Sequence, residues 1–505
     1  MIDALPNHSP ARVSVSRRPL DERQCAELDC LALVLPPGEL PRLPSALPAA
    51  SRWLSRKNAG VSATRVAATS LDNRRGTRVF AVQVADLLAP TSAADAARRL
   101  AVACLDSRPE SVGILVVGCA GETGAQLSAW TLEAFLINDF RLPNFASALP
   151  QAPRLRRLRL FAAVNGNDRL LAVSRANANN LARWLGAMPP NYLDATALRK
   201  AAQQVARDHG LTSRFYSVKQ LKKMGAGAFC AVAQGNAVDD AGILRISYTP
   251  KSKTKLKRIA LLGKGVIFDT GGNNLKPFRA MLDMHLDMQG SAVALAATKA
   301  LAQLNYPHSV DCWLAITENR IGPDAYKSQD IITALNGKTI QTIHTDAEGR
   351  MALADTLTLA GRRKPDLMID FATLTGSCVN AVTTRYSGVF SNAPQLYPML
   401  KELGLRCAEP LWPFPMDAVF ADDIRSEVAD LVQCRVDGNG DHIYAAMFLK
   451  EFVPEGTPWV HIDLSAAQHK GGLGLVGSEI TGVGARLGVE LARELPRLLA
   501  AAANG

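Results

Sequence analysis

Apolar runs and amphipathic segments alternate along the first part of the chain. Three short apolar runs predict strands, at 78–84, 111–118 and 157–164. Two stretches with a helical spacing of apolar residues predict helices, at 92–106 and 127–139. This order predicts a small N-terminal α/β domain over residues 1–165. Its first part, 1–52, is expected to be partly irregular because residues 35–50 are rich in proline.

A long helical pattern then leads into a second, larger alternation. The pattern at 169–188 stops at Pro189 and Pro190, since proline cannot continue a helix, and we assign residues 166–190 to a linker helix. Beyond it, four apolar runs predict buried strands, at 257–263, 310–317, 366–374 and 459–465. Three amphipathic stretches predict helices, at 290–304, 350–363 and 442–453. Residues 191–505 are therefore predicted to form a larger α/β domain with a central, mostly parallel sheet.

Composition narrows the class of protein. The chain has 505 residues, of which 48% are hydrophobic and 20% charged, as in an ordinary globular protein. Neither an apolar run of membrane-spanning length nor an apolar signal segment at the N-terminus is seen, so we expect neither a membrane protein nor a secreted one. The nine cysteines form no CxxC pair, which indicates reduced thiols and a cytoplasmic location.

Positive charge is concentrated in the first 190 residues. They carry 23 Lys and Arg against 15 Asp and Glu, within a net charge of +11 for the whole chain. Arginine forks suit phosphate, so a DNA-binding or architectural role for this part is an alternative function. The simpler interpretation is a solvated surface in a protein whose coding sequence favours Arg over Lys.

Two motifs carry most of the acidic residues of interest. The first is HTDAEGR at 344–350, and the second is GKGVIFDTGGNNLKPFRAMLDMHLDM at 263–288. Both lie near the expected carboxyl ends of strands, where open α/β sheets bind ligands. If the two loops meet, the carboxylates of four acids converge, namely Asp269, Asp287, Asp346 and Glu348. Converging carboxylates repel one another and suit two divalent metal ions about 3.5–4 Å apart. The alternative is two charged loops that never meet.

This pair of motifs resembles the leucyl aminopeptidase (cytosol aminopeptidase) family of dinuclear metallopeptidases. The internal spacing of both motifs agrees with the family pattern. The resemblance extends over about residues 170–495 through GILRISYTP (242–250), TLTGS (373–377) and WVHIDLS (459–465). It implies an α/β fold in which 191–505 is the catalytic domain. It also implies a cytoplasmic homohexamer that releases N-terminal, Leu-like residues from peptide substrates.

The resemblance also implies a role for each matching residue. Two divalent ions, Zn²⁺ or Mn²⁺, would be held by Lys264, Asp269, Asp287, Asp346 and Glu348. Asp269 and Glu348 would bridge the ions, with Lys264 and Asp287 on the tighter one and Asp346 on the more exchangeable one. Lys276 would stabilise the developing gem-diolate oxygen. Arg350 would hold a bicarbonate that relays the proton, with help from the backbone near Gly349 and Leu374. The pocket for the first residue would be lined by Met284, Thr373 and Gly376.

The chain departs from the family pattern at a few places. Thr270 replaces Ser, Asn273 and Asn274 replace an apolar–Ser pair, and His344 replaces Asn. None of these changes removes a ligand, so we predict an active enzyme. We expect these departures to affect the substrate preference or the dependence of activity on pH.

Other candidate signals receive structural interpretations. His285 and His344 each precede a predicted ligand acid by two residues, and we expect them to support the site rather than bind metal. Gly472, Gly474 and Gly477 formally match a dinucleotide fingerprint, but no βαβ unit follows, so we predict a flexible loop. Cys378 has no histidine placed to activate it and is expected to be buried.

Overall fold

The computed structural model describes residues 5–6, 10–16, 18–48, 50, 53, 65–147, 154–162, 164–251 and 256–503. Its strands, in chain order, are β1 (Arg12–Val15), β2 (Cys30–Leu35), β3 (Ala67–Ser70), β4 (Arg78–Gln83), β5 (Ser111–Val116), β6 (Arg157–Leu160), β7 (Thr212–Ser217), β8 (Gly242–Tyr248), β9 (Arg258–Asp269), β10 (Ser309–Asn319), β11 (Ile331–Thr333), β12 (Thr339–Gln341), β13 (Leu367–Ala372), β14 (Ser387–Ser391), β15 (Leu411–Pro413), β16 (Leu431–Val432) and β17 (Trp459–Asp463).

The described helices flank these strands. The α-helices are Glu22–Cys25, Pro90–Leu105, Gly121–Asn138, Gly166–Gly186, Ala195–Asp208, Val218–Met224, Gly227–Ala233, Phe278–Met281, Gln289–Gln303, Glu348–Gly361, Gly376–Val382, Tyr397–Arg406, Asp441–Lys450, Ala485–Arg493 and Leu495–Ala502. Short 3₁₀ helices occupy Met284–Leu286, Thr383–Arg385, Pro394–Leu396, Ala418–Phe420 and Asp422–Ile424. Within the described part of the chain, no helix is both long and apolar enough to cross a membrane.

The strands form two large sheets and one small one. The first has the order β1-β6-β5-β2-β4-β3, with only β3 antiparallel to its neighbour. The second has the order β15-β14-β17-β13-β9-β10-β8-β7, and its centre, β17 to β10, is parallel. The small sheet is β11-β12-β16. The predicted fold class, α/β with a mostly parallel central sheet, is confirmed.

All the predicted strands and helices appear, with ends displaced by a few residues. The strand β2 was not predicted, although its six residues CLALVL are all buried. Such an uninterrupted apolar run is typical of a parallel strand covered on both faces. Strands β7 and β8 were also missing from the prediction. In β7, TSRFYS, most side chains are at least partly exposed at the edge of the sheet, so its apolar pattern is weak.

Helix Gly166–Gly186 lies between the two large sheets. It packs against helix Gly121–Asn138 beside the first sheet and against helix Gln289–Gln303 on the second. Gly290 in the latter helix allows a close approach to the central strands, since a Cβ atom there would lie 2.0 Å from the Phe371 carbonyl oxygen. This contact places the start of helix Gln289–Gln303, and therefore Asp287 just before it, at the edge of the sheet.

The glycine-rich stretch 472–477 is a loop, but it is anchored rather than free. Asn138 donates from Nδ2 to the Leu475 carbonyl oxygen at 2.9 Å, and its Oδ1 accepts from the Gly477 N–H at 2.7 Å. Leu475 and Val476 are buried among apolar side chains around the first sheet. The stretch therefore joins the two halves of the chain and does not open a nucleotide-binding unit.

A buried ionic cluster also joins the two halves. Glu133 on helix Gly121–Asn138 is fully buried, and its Oε2 lies 2.9 Å from Arg486 Nε on helix Ala485–Arg493. Arg486 Nη1 donates to the Cys407 carbonyl oxygen at 2.6 Å. Arg175 on helix Gly166–Gly186 lies between Glu133, at 3.6 Å, and Glu490, with which it forms an ion pair.

Removing the arginine from this cluster is expected to destabilise the fold. Arg486→Met would leave the Glu133 carboxylate buried with only the more distant Arg175, which should lower the free energy of unfolding by about 3–5 kcal/mol. Urea denaturation followed by circular dichroism measures the change. Arg497→Met is the control, because the Arg497 side chain is 58% exposed in its pair with Glu494 and such pairs contribute about 0–1 kcal/mol. Equal effects of the two substitutions would contradict this account.

Candidate functional site

The two acidic motifs meet at the carboxyl edge of the second sheet. A cavity of about 830 Å³ opens there, beside the ends of β9 and β13 and the start of helix Glu348–Gly361. Ten of the twelve predicted site residues line it: Lys264, Asp269, Lys276, Met284, Asp287, Asp346, Glu348, Thr373, Leu374 and Gly376. Gly349 and Arg350 are buried behind the cavity wall. The alternative of two loops that never meet is therefore excluded.

Lys264 is paired with two of the predicted ligands. Its Nζ lies 2.8 Å from Asp287 Oδ1 and 2.9 Å from Glu348 Oε1, and it donates to the Thr373 carbonyl oxygen at 3.1 Å. Burial disfavours the ammonium, but the carboxylates of Asp287 and Glu348 outweigh burial and hold the pKa of Lys264 above its ordinary value. That Lys264 coordinates an ion as a neutral amine stays a prediction. The amine would lose its proton only with cations beside it.

Lys276 lies between the other two acids. Its Nζ is 2.8 Å from Asp269 Oδ2 and also forms an ion pair with Asp346 Oδ1. Burial opposes this charge too, yet the neighbouring acids, Asp269 foremost, raise the pKa of Lys276. Asp269 is buried, whereas the Asp346 side chain is 26% exposed at the cavity. One half of the cluster is therefore closed from solvent and the other half is open to it.

The donor set fits divalent cations. Carboxylate oxygens of Asp269, Asp346 and Glu348 lie within 4.8 Å of one another. Asp287 Oδ2 is buried and has no hydrogen-bond partner among the described residues. Burial raises the pKa of Asp287, and Lys264 offsets only part of that effect. Two ammonium groups against four carboxylates leave an excess of negative charge, which hard oxygen-seeking cations would neutralise.

The TLTG segment after β13 orients one of these acids and one wall of the cavity. Thr373 Oγ1 donates to Asp287 Oδ1 at 2.8 Å. The Leu374 N–H donates to Asp463 Oδ1 at 3.1 Å, and Thr375 Oγ1 donates to Asp463 Oδ2 at 2.7 Å. Gly376 then begins the helix Gly376–Val382 without any atom within 4 Å of where a Cβ would lie, so open space faces it.

Arg350 is held by an acid that the sequence analysis did not consider. Its Nη2 donates to Asp441 Oδ2 at 2.5 Å, and its Nη1 donates to the Gln433 carbonyl oxygen at 3.2 Å. Burial opposes the charge of Arg350, but Asp441 outweighs burial and raises the arginine pKa. Asp441 lines the cavity. The buried Arg350 is therefore linked to the cavity by its ion pair with Asp441.

Two further buried residues, Asn319 and Gln433, form hydrogen bonds that hold the site in position. Asn319, at the end of β10, donates from Nδ2 to Asp269 Oδ1 at 2.8 Å and to the Thr345 carbonyl oxygen at 3.0 Å. Gln433 Oε1 accepts from the N–H groups of Ile343 and His344, at 3.0 and 3.2 Å. The sequence could have indicated Asn319 as a site residue, because it is a polar residue at the carboxyl end of a predicted strand. No sequence pattern indicated Gln433.

The departures from the family pattern have structural roles. Asn274 Oδ1 accepts from the Thr345 N–H at 2.8 Å, and Thr345 Oγ1 accepts from the Asn274 N–H at 2.8 Å, so this pair ties the two motifs together. Asn273 Nδ2 donates to the Tyr326 carbonyl oxygen at 2.9 Å. His344 is exposed at the cavity, where its Nδ1 accepts from the Asp346 N–H at 3.3 Å.

The remaining candidates lie apart from the acidic cluster. His285 is half-buried, and burial lowers its pKa. It is absent from the group of described residues whose ligand atoms converge. Cys378 is fully buried, and burial raises the pKa of its thiol, so it is no nucleophile.

The chain is similar to known proteins over most of its length. The model of the cytosol aminopeptidase family, catalytic domain, matches residues 180–489. A probable cytosol aminopeptidase of Aquifex aeolicus (strain VF5) is 34% identical over 356 residues, which cover 70% of this chain and 71% of that protein. Another from Synechococcus sp. (strain WH7803) is 36% identical over 379 residues, covering 74% and 76%. A solved mutant of tomato leucine aminopeptidase matches with a TM-score of 0.85 at 25% identity, covering 97% of this chain and 98% of that one.

Gly349 offers a test of the packing around Lys264. A Cβ atom at this position would lie 2.6 Å from Lys264 Cε and 2.7 Å from its Nζ. Gly349→Ala should therefore displace the amine and lower the affinity for Zn²⁺ or Mn²⁺ by about 10–100-fold in a folded chain. Competition with a chelator measures the affinity. Gly376→Ala is the matched control, since its Cβ meets nothing within 4 Å. An unchanged affinity of the Gly349 variant would refute the proposed packing role.

Proposed function

The chain belongs to the cytosol aminopeptidase family and is a metal-dependent aminopeptidase, and from this premise we propose that it removes Leu-like N-terminal residues from peptides with two divalent ions. The observation that carries the proposal is the convergence of the Asp269, Asp346 and Glu348 carboxylates within 4.8 Å, beside Lys264. An isolated acidic cluster would be weak evidence. Here it lies in a cavity of about 830 Å³, large enough for the end of a peptide.

The ligand set is proposed residue by residue. Two divalent ions, which we take to be Zn²⁺ or Mn²⁺, would share Asp269 and Glu348. Lys264 and Asp287 would complete the tighter site, and Asp346 would complete the exchangeable one. The difference in exposure supports this division, because Asp287 is buried whereas Asp346 is open to the cavity. When bound, such ions acidify a water molecule and polarise the scissile carbonyl group.

The chain's own charges bind and orient the substrate. The free α-amino group of a peptide would bind at the metal centre, which would restrict cleavage to the N-terminal residue. Lys276 is the ammonium group placed to stabilise negative charge on the carbonyl oxygen, since its Nζ lies within the acidic cluster at the cavity wall. Burial lowers the pKa of Lys276, but Asp269, Glu348 and Asp346 outweigh burial and raise it.

We propose that Arg350 contributes to the proton relay by holding a carboxylate-like anion that accepts the proton. The family resemblance implies bicarbonate in this role, supported by the backbone near Gly349 and Leu374. An anion held by an arginine fork accepts a proton without a change of partner. In this chain the Asp441 carboxylate already accepts a hydrogen bond from Arg350 Nη2. The anion is therefore either bicarbonate that displaces Asp441 or Asp441 itself.

Assembly and location are also proposals. The family resemblance implies a cytoplasmic homohexamer with its active sites facing an interior cavity. Exposed apolar side chains close to Lys276 support burial against another copy of the chain, in particular Leu275, Phe278 and Leu282. DNA binding stays a prediction from charge alone. Several arginines of the first 190 residues instead pair with acids, among them Arg75 with Asp29 and Arg159 with Glu27.

The metal stoichiometry tests the proposed centre. Purified protein reloaded with Zn²⁺ or Mn²⁺ should hold about two ions per chain, as expected for a two-metal site, measured by atomic emission after desalting. Asp269→Ala should lose both ions, because its carboxylate bridges them, and Asp287→Ala should lose mainly the tighter one. Asp283→Asn, an exposed acid at the same cavity, should keep both. A stoichiometry near zero in the reloaded wild type would rule out the centre.

The preference for the first residue tests the substrate pocket. Met284, Thr373 and the open space beside Gly376 favour an apolar side chain, so Leu and Met amides should be cleaved faster than Ala amide. A missing methylene is worth about 1–3 kcal/mol, so the preference should be graded when kcat/KM is measured over a panel of aminoacyl amides. Gly376→Leu should reduce kcat/KM for Leu amide more than for Ala amide. A strong preference for Glu or Asp amides would show that the pocket is assigned wrongly.

A further inference from the structure

We propose that Asp441 is the proton acceptor of the hydrolytic step, so that this chain carries on a side chain the carboxylate that the family resemblance assigns to bicarbonate. The proposal rests on the peptidase function proposed above. It begins from the contact between Arg350 Nη2 and Asp441 Oδ2 at 2.5 Å. Arg350 is buried behind the cavity wall, whereas Asp441 lines the cavity together with Asp346 and Glu348.

Two of the three nitrogens of Arg350 already have partners, whereas its Nε has none among the described residues. Its Nη2 is engaged by Asp441, and its Nη1 donates to the Gln433 carbonyl oxygen at 3.2 Å. Planar oxyanions bind arginine through two parallel N–H groups. A bicarbonate ion that binds through two N–H groups, including that of Nη2, would therefore have to displace the Asp441 carboxylate. The charge pairing between Arg350 and Asp441 would then be lost.

The backbone fixes Asp441 in this position. Gly440, with φ of +64°, turns the chain so that Asp441 is the first residue of helix Asp441–Lys450, where the helix dipole favours a carboxylate. The helix packs against the two helices that begin with Glu348 and Gly376. The His442 N–H donates to Ser377 Oγ at 2.9 Å, which ties the start of the helix to the cavity wall.

The carboxylate of Asp441 is partly open to the cavity. Its side chain is 24% exposed, while Oδ1 is itself buried and has no hydrogen-bond partner among the described residues. In the proposed step the attacking water forms the C–O bond to the peptide carbonyl carbon as one of its O–H bonds breaks and that proton passes to the Asp441 carboxylate. Asp441 then returns the proton to the peptide nitrogen as the C–N bond breaks, and the second proton of the water leaves with the products. Asp441 is thereby regenerated as a carboxylate on Arg350.

Chemical rescue distinguishes this role from a structural ion pair. With Leu amide in buffer free of carbon dioxide, Asp441→Ala should keep about two metal ions but lose about 10²–10⁴-fold in kcat, the usual contribution of a general base. Added bicarbonate or formate should then enter the vacated place on Arg350 and restore about tenfold or more of that loss. The wild type should not respond to either anion.

Three variants serve as controls. Asp441→Asn should lose as much activity but resist rescue, because its amide still fills the place of the carboxylate. The double variant Arg350→Ala/Asp441→Ala should resist rescue because no fork remains to hold the anion. Asp437→Ala removes another acid of the same cavity, which pairs with Arg435 at 3.1 Å, and should show neither loss nor rescue.

Anion binding gives a readout that is independent of turnover. Titration calorimetry with formate should detect binding to metal-loaded Asp441→Ala and none to the wild type or to the double variant. Wild-type kcat in Asp441→Ala or in Asp441→Asn would overturn the proposal, and so would a wild type that bicarbonate stimulates as strongly as the variant. If Asp441→Ala does not fold, Asp441→Asn carries the test. A wild type that binds metal but cleaves no aminoacyl amide would instead overturn the proposed function.

Discussion

The concentration of four carboxylates at one edge of a sheet is the constraint on which the rest of the site depends. Asp269, Asp287 and Glu348 are at most 5% exposed, and a buried carboxylate without a partner is strongly disfavoured. Lys264 and Lys276 lie among these acids at 2.8–2.9 Å and compensate part of the charge. Because the compensation is incomplete, the site favours divalent cations.

The fold maintains this arrangement with neutral donors on neighbouring strands. β10, β9, β13 and β17 are adjacent and parallel, so their carboxyl ends meet at one edge. Asn319 and Thr373 follow two of these strands and each donates to a carboxylate of the cluster. Asn274 and Thr345 join the two motif loops through a pair of hydrogen bonds. These hydrogen bonds orient the carboxylates of the cluster, which reduces the reorganisation that binding a cation would require.

In the proposed mechanism, the same scaffold separates metal binding from proton transfer. Glu348 and Arg350 lie two residues apart on one helix, yet the first faces the cavity and the second is buried behind its wall. The arginine acts on the cavity through whichever anion it holds, and here that anion is Asp441. A side chain in this position is present in every molecule, whereas a dissolved anion must be captured. If Asp441 accepts the proton as proposed, catalysis does not depend on dissolved bicarbonate, and the proposed metal ligands are unchanged.

The sequence by itself determined the elements with strong periodicity, the α/β class and the two motifs that meet at the cavity. The predicted ligands lie in two continuous segments, so their spacing is local and visible in the chain. The run at β2 was overlooked, and edge strand β7 has too weak an apolar pattern to predict. Contacts between distant residues depended on the tertiary structure. Asn319 meets Asp269 across 50 residues, and Asp441 meets Arg350 across 91. Hydropathy does not encode strand order or helix placement, and these alone decided which polar side chains became partners.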